Sequence, residues 1–359
     1  MQIKKKLNNL NKLYIIFFYS VLFINVIFIT SLNANSFKIT NLEISEPFDI
    51  NFNKEKVIDK GFKVAFLELV SMITTSGDKK KIENTSLSTI KSLIDSFTMS
   101  DEQFVNNEYY TKFDVNFNKK YTLIFFEKKN IFPSIPKKKD LLLIPIMVDL
   151  QLDQISLFTN NIFYEKWNNN HERYYLLNYI LPSEDLEDVD LLSQNSKSIE
   201  DYDFKKVIRK YDLNDFIIAI IYKNNEQLTI LSKIQLNQSF KVDSKKFETI
   251  DLFKEKDFNL ILVNLKTAYE NYWKNINQIN TSIKLPLTIS INSTQHKKIQ
   301  ILENGLNELD LVSSFEILKF NNQNIYFKII YNGSPNRFIS EIQMKGIEIN
   351  TQNQIWEVQ

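Results

Sequence analysis

The sequence predicts a mixed α/β protein (α+β in places), assembled from several small layered α/β units. Three observations carry that expectation. Stretches with apolar residues at helical spacing recur between stretches that alternate apolar and polar residues, which reads as helices interleaved with strands. One near-continuous apolar run, residues 141–148, has the composition of a strand covered on both faces. The final stretch, residues 285–358, carries the order βαββαβ, that of a ferredoxin-like split βαβ unit.

Taken in order, residues 37–52 alternate irregularly and read as one or two strands. Residues 54–75 place Val57, Ile58, Phe62, Ala65, Phe66, Leu69 and Ile73 on one face of an amphipathic helix, which Gly77 is expected to stop. A second helix is expected over residues 86–97, a strand over 108–117 and a short helix over 119–127. In that strand Tyr109, Thr111, Phe113, Val115 and Phe117 face one way. Pro133, Pro136 and the lysines 137–139 mark a linker or loop. After the apolar strand come a helical stretch around Trp167, a strand over 174–181, an acidic loop over 184–190 and a helix near 202–211. Strands 216–222 and 228–236 form a hairpin, and a long helix covers 258–276. The last unit runs as strand 285–293, helix 295–309, strands 312–320 and 325–331, helix 335–344, and short strands at 347–350 and 355–358. These elements divide the chain into residues 1–36, an amino-terminal α/β domain at 37–135, a middle α/β domain at 140–280 and a small carboxy-terminal domain at 284–359.

The first of those segments has the layout of a secretory signal. Lys4, Lys5, Lys6 and Lys12 precede an apolar run over residues 13–32, followed by small residues ending at Ser36. A spanning helix needs ~20 residues, so an uncleaved inner-membrane anchor is the rival. The lysines keep their end in the cytoplasm under either reading. The rest of the chain is therefore expected in the periplasm of a bacterial envelope, touching membrane only through 13–32 if that run is retained.

Composition narrows the chemistry. Lys plus Arg (44) nearly cancels Asp plus Glu (43), which leaves no basic surplus for nucleic acid. The absence of cysteine removes disulfides, thiolate metal sites and thiol nucleophiles. The five glycines are scattered, so no glycine-rich loop is available to cradle phosphate.

Several groups in the first half carry a resemblance. They are Gly61-Phe-Lys-Val-Ala-Phe66 within the long helix, Ser100-Asp-Glu102, and the strand Tyr109-Tyr-Thr-Lys-Phe-Asp-Val-Asn-Phe-Asn118. Leu143-Ile-Pro-Ile146 and Phe163-Tyr-Glu-Lys-Trp167 follow. In this order they resemble the bacterial family catalogued as domain of unknown function 2066, over roughly residues 37–273. The resemblance implies an exported protein of this architecture and supplies no catalytic residues.

No residue pattern assembles a catalytic, metal or cofactor site. His171 and His296 stand apart from each other and from any zinc motif, and read as a polar turn and an exposed helix start. Ser88-Thr-Ile-Lys91 has the spacing of an activated serine but sits on an amphipathic helix, where chance explains it. Glu184, Asp185, Glu187, Asp188 and Asp190 offer oxygens for calcium without the spacing of a calcium loop, so a solvated loop is expected. Asp149 and Asp153 could pair for acid–base work, although carboxylates at a strand end more often cap a turn. Trp167, Tyr174 and Tyr175, beside the polar run 168–170, are the candidate binding surface, an aromatic platform for sugar or peptide. Trp273 and Trp356 read as packing residues. The function expected from this is a non-catalytic envelope module binding other envelope proteins or cell-wall material. The alternative is a carboxylate-dependent hydrolase acting on cell-wall or carbohydrate material.

The export expectation has a direct check. Amino-terminal sequencing of the envelope form should begin at Asn35 or Phe37; retention of Lys4 to Lys12 establishes the anchored form instead.

Overall fold

A computed structural model describes residues 37–169 and 172–359; the expected signal segment and His171 lie outside them. Residues Ser36–Gln359 form one compact unit containing three β-sheets. Among the described residues no helix is long and apolar enough to cross a membrane.

The first sheet has the order β1-β3-β2 and is antiparallel throughout, with β1 at Lys38–Pro47, β2 at Ile94–Val105 and β3 at Glu108–Phe117. The expected inward face of β3 is buried at Tyr109, Thr111, Phe113, Val115 and Phe117. Helix α1, Lys54–Ile73, packs across it with Phe66, Leu69 and Val70 fully enclosed. The approach is close because Gly61 faces β3, where an added Cβ would lie 3.0 Å from the Phe113 ring. Asn53 caps the start of α1 by accepting from Glu55 N–H.

Two expectations fail in this region. Gly77 does not end α1: Thr74 does, its hydroxyl donating to Val70 O at 2.8 Å, and Thr75 then caps a separate helix α2 at Ser76–Ile82 that contains Gly77. The second helix is also shorter than expected, with α3 covering Leu87–Leu93 only. Ile94 and Phe97 continue its apolar spacing but are claimed by β2, opposite Phe117 and Val115. A strand partner already in place outweighs one further helical turn, as tertiary context commonly does. Helix α4, Lys119–Lys128, closes this part of the chain.

The second sheet is mixed, in the order β5-β4-β7-β8-β9, with β6 also paired to β4. Its strands are β4 (Lys139–Asp149), β5 (Gln154–Ser156), β6 (Leu177–Ile180), β7 (Phe216–Asn224), β8 (Gln227–Leu236) and β9 (Ser239–Phe247). β4 runs parallel to β6 and β7 and is covered on both faces. Leu141 and Leu143, with Ile217, Ala219 and Ile221, enter one core alongside helix α8 (Glu255–Ile276). Leu142, Ile144 and Ile146, with Ile218 and Ile220, enter another beneath helices α6 (Leu186–Gln194) and α7 (Lys205–Arg209). The short helix α5, Ile162–Lys166, leads into a turn of 3₁₀ helix at Trp167–Asn169. β9 follows a tight turn at Asn237 and Gln238, both with positive φ, and the sequence patterning missed it because its residues are largely exposed.

β5 and β6 share one edge of β4 and leave a gap between them. Pro145 sits at that gap, where its missing N–H interrupts no ladder. Its carbonyl accepts from the Asn161 amide at 2.9 Å, and the same amide reaches Ser156 O and Leu157 O.

The third sheet has the order β11-β12-β10-β14-β13, formed by β10 (Leu285–Asn292), β11 (Val312–Phe320), β12 (Asn324–Tyr331), β13 (Ile349–Asn350) and β14 (Trp356–Val358). Helices α9 (His296–Glu308) and α10 (Pro335–Gln343) pack against it. The first three strands have the split βαβ pairing of a ferredoxin-like unit. The closing strand differs: β14 lies parallel to β10, and β13 turns back antiparallel outside it. The cores of the first and third sheets are continuous, from Phe66 and Phe113 through to Ile289, Phe327 and Phe338.

Because Phe66 is wholly enclosed in that joint core, Phe66→Ala is expected to destabilise the fold by ~3–5 kcal/mol. Chemical denaturation of the two proteins measures it. A loss within about 0.5 kcal/mol, the range of surface substitutions, contradicts this packing.

Candidate functional site

The expected aromatic platform is not a surface. Trp167 is fully buried and Tyr175 nearly so, while Tyr174 is half-buried. The neighbouring polar residues misled because Asn168 and Asn169 are exposed while the tryptophan before them points inward. The Trp167 ring stacks on Tyr269 at 6.1 Å and meets Tyr179 edge-on at 5.4 Å. Tyr174 meets Tyr175 edge-on, with Lys79 Nζ 5.6 Å from its ring centre.

Beneath these rings α8 carries three buried charges one turn apart, Lys266, Glu270 and Lys274. Lys266 Nζ lies 5.9 Å from the Trp167 ring centre, 5.8 Å from Tyr175 and 5.9 Å from Tyr179. Glu270 Oε1 accepts the backbone N–H groups of Leu176 at 2.9 Å and Leu177 at 2.8 Å, fixing the start of β6. Lys274 donates to Ser71 O at 2.6 Å, near the end of α1. Burial pushes both lysines down to about 8 and raises the Glu270 carboxyl, with the opposite charges nearby opposing each shift. Sequence patterning gave no sign of this stripe, since charges at helical spacing ordinarily mark a solvated face.

The candidate carboxylates are engaged in structure. Asp149 pairs with Lys223 at 2.9 Å and accepts from the N–H groups of Gln151 and Leu152, so it caps the turn after β4. The Lys223 hydrogen bond, with the two turn amides, holds its carboxyl below the usual range. Asp153 is exposed with φ 48°, a left-handed turn position. The acidic run is a helix start and not the expected loop. Asp185 caps α6 through Glu187 N–H, and Lys210 donates to Asp185 at 2.6 Å and to the fully buried Asp188 at 2.7 Å. Among the described residues no three Asp, Glu or His side chains are grouped to hold a metal ion. Lys91 is turned onto Asp59 at 2.7 Å, and His296 is exposed as the first residue of α9. Trp273 is fully buried and donates to Lys137 O, and Trp356 packs on Phe338.

Two surface features remain. At the end of the first sheet the β2–β3 hairpin turns through Asn106 and Asn107, both with positive φ, and Phe48 N–H binds Asn107 O. Phe48 meets Phe104 at 4.8 Å and Phe52 at 4.9 Å. Phe48 is 46% exposed, Phe104 60%, Val105 46% and Ile50 100%. The second feature is a cleft of about 740 Å³ bounded by β5, the turn that follows it and the first turns of α6.

No known protein family matches this chain, and no curated protein is detectably similar to it. The family resemblance therefore stands on the residues quoted for it.

The buried lysines give a pH signature. Each has a folded value of about 8 against an ordinary value of 10.5, so folding releases its proton between those limits. Stability due to them thus rises with pH through that window, by up to roughly 3–4 kcal/mol per lysine. Lys119, also near 8, contributes in the same sense, and raised Glu270 acts oppositely at lower pH. Thermal unfolding at pH 7.5 and 9.5 is expected to show the rise in the parent, and a smaller one in Lys266→Met/Lys274→Met. An identical rise in both proteins contradicts the assignment.

Proposed function

We propose that this chain is an exported envelope protein that binds other envelope proteins without catalysing a reaction. The export signal of the first segment and the resemblance to domain of unknown function 2066 belong to the same proposal. The observation that carries the binding reading is the aromatic end of the first sheet. Phe48 and Phe104 hold two rings in contact and open to water at one hairpin end, with the exposed Val105 and Ile50 adjacent along the chain. Clustered exposed apolar side chains mark association sites, whereas scattered ones do not. The rings are braced from behind: Phe104 lies 5.1 Å from buried Tyr109, whose hydroxyl donates to Glu102 at 2.7 Å. Glu102 in turn is held by Lys54. An aromatic anchor fixed before binding loses little entropy on association.

Of the carboxylates weighed for the hydrolase alternative, Asp149, Asp185 and Asp188 each hold a lysine.

Cross-linking in the producing organism, with the full chain as bait, tests the proposal. The parent is expected to capture a reproducible envelope protein, and Phe48→Ser/Phe104→Ser to lose at least about tenfold of it, as loss of two anchor residues does. Unchanged capture by the folded variant overturns the role of this surface.

A further inference from the structure

The cleft beside α6 lies between the chain segments that follow β4 and β6. The chain leaving β4 returns through β5 to form one wall, and the chain leaving β6 supplies the other through Glu184, Asp185 and the first turns of α6. At about 740 Å³ the space suits a short peptide segment or a small molecule.

Its lining is divided by chemistry. Leu157 and Phe158, 4% and 5% exposed, form an apolar floor, and Val189 and the 83% exposed Leu186 extend it to one lip. Carboxylates stand above it. Glu184 and Asp153 are exposed and have no cationic partner among the described residues, in contrast to Asp185 beside them, which Lys210 holds. Among the described residues no lysine, arginine or histidine lines the cleft. An anion entering here would meet uncompensated negative charge. A side chain with an aliphatic stem and a cationic head meets both surfaces, its stem along the floor and its head at the rim.

We propose that this cleft binds a lysine- or arginine-bearing extended peptide segment of a partner protein. The proposal rests on the protein-binding reading and adds a second, charge-selective contact distinct from the aromatic end of the first sheet. The floor selects for the stem and the rim for the head, so binding needs both in one ligand. A free polyamine shares the cationic chemistry but lacks side chains flanking the head.

Fluorescence anisotropy with the full chain tests it, using labelled Ala-Lys-Leu-Lys-Ala as probe against the Glu and Gln peptides of the same design, with spermidine as competitor. The lysine peptide is expected to bind, to weaken as salt is raised, and to bind at least tenfold more tightly than either control. Glu184→Gln/Asp153→Asn, both exposed and expected to leave the melting temperature unchanged, should weaken it by about tenfold. Equal affinity for the three peptides, or no loss in the double variant, overturns the proposal. Displacement by spermidine at a concentration below the peptide's own Kd overturns the peptide assignment in favour of a small amine. Because Phe48 and Phe104 lie outside the cleft, peptide binding that survives their replacement while envelope capture is lost separates this site from the aromatic surface. Failure of the peptide alone leaves the capture result to stand or fall separately.

Discussion

A single buried carboxylate fixes how the middle of this protein is put together. Glu270 holds the N–H groups of Leu176 and Leu177 at the start of β6 on one side, and Lys274, one turn on, reaches across to the last turn of α1. A charge this deeply enclosed is tolerated only when its lone pairs and neighbouring charges are arranged around it. Once Glu270 is set, the strand leading to Tyr179 is set, and with it the ring that Trp167 meets edge-on. The same helix face then joins two sheets, because Asn271 binds Ser76 and Trp273 binds Lys137 O within the adjoining turn. The first and second sheets are thus held together by polar contacts from this helix and from Arg173, which donates to the Thr40 and Asn41 carbonyls of β1, while the first and third share an apolar core.

That arrangement relies on β4 being dressed on both faces and along both edges. A strand with alternate residues in two cores cannot slip by one position without exchanging them. Its free edge is the harder problem, because β5 and β6 are too short to cover it between them. Proline at the gap and the Asn161 amide resolve it without a further strand. The consequence reaches the surface. β5 is held short, the chain beyond it is free to turn outward, and that turn becomes one wall of the cleft.

Much of the fold was legible because backbone pairing follows side-chain period. The inward row Tyr109, Thr111, Phe113, Val115 and Phe117 could be read directly, as could the doubly buried run of β4 and the long helix α8. What could not be read has a common cause. β2 and β9 are mostly exposed on both faces, so they carry no alternation, and only pairing with an already formed neighbour makes them strands. The site was less legible still. Trp167 looked like a platform because Asn168 and its neighbours are polar, yet polarity along the chain says nothing of which way one ring points. The acidic run looked like a loop, although Asp185 followed two residues on by Glu187 is equally the start of a capped helix. The buried lysines were invisible because sequence spacing alone cannot distinguish a charged stripe in water from one enclosed by three aromatic rings.

Scarcity of glycine bears on how the two candidate surfaces are presented. With five glycines in the chain, left-handed backbone positions fall largely on asparagine and aspartate, including Asn106 and Asn107 at the aromatic end and Asp153 and Asn160 at the cleft. These side chains tolerate that conformation at modest cost but are more restricted than glycine elsewhere in the unfolded chain. Turns built this way have fewer alternative conformations to lose on folding, and fewer to visit afterwards. The Asn106–Asn107 turn holds Phe104 against Phe48 through the Phe48–Asn107 backbone bond, so the ring pair is set by the hairpin and not by contact with a partner. At the cleft, the positive φ of Asp153 follows from the turn that Asp149 caps, which ties one rim carboxylate to the end of β4. Both surfaces are therefore shaped by backbone geometry anchored in a sheet. Association with a preformed surface avoids the ordering cost that flexible loops carry, and that is the physical ground on which recognition by apolar and acidic patches of this modest size becomes feasible.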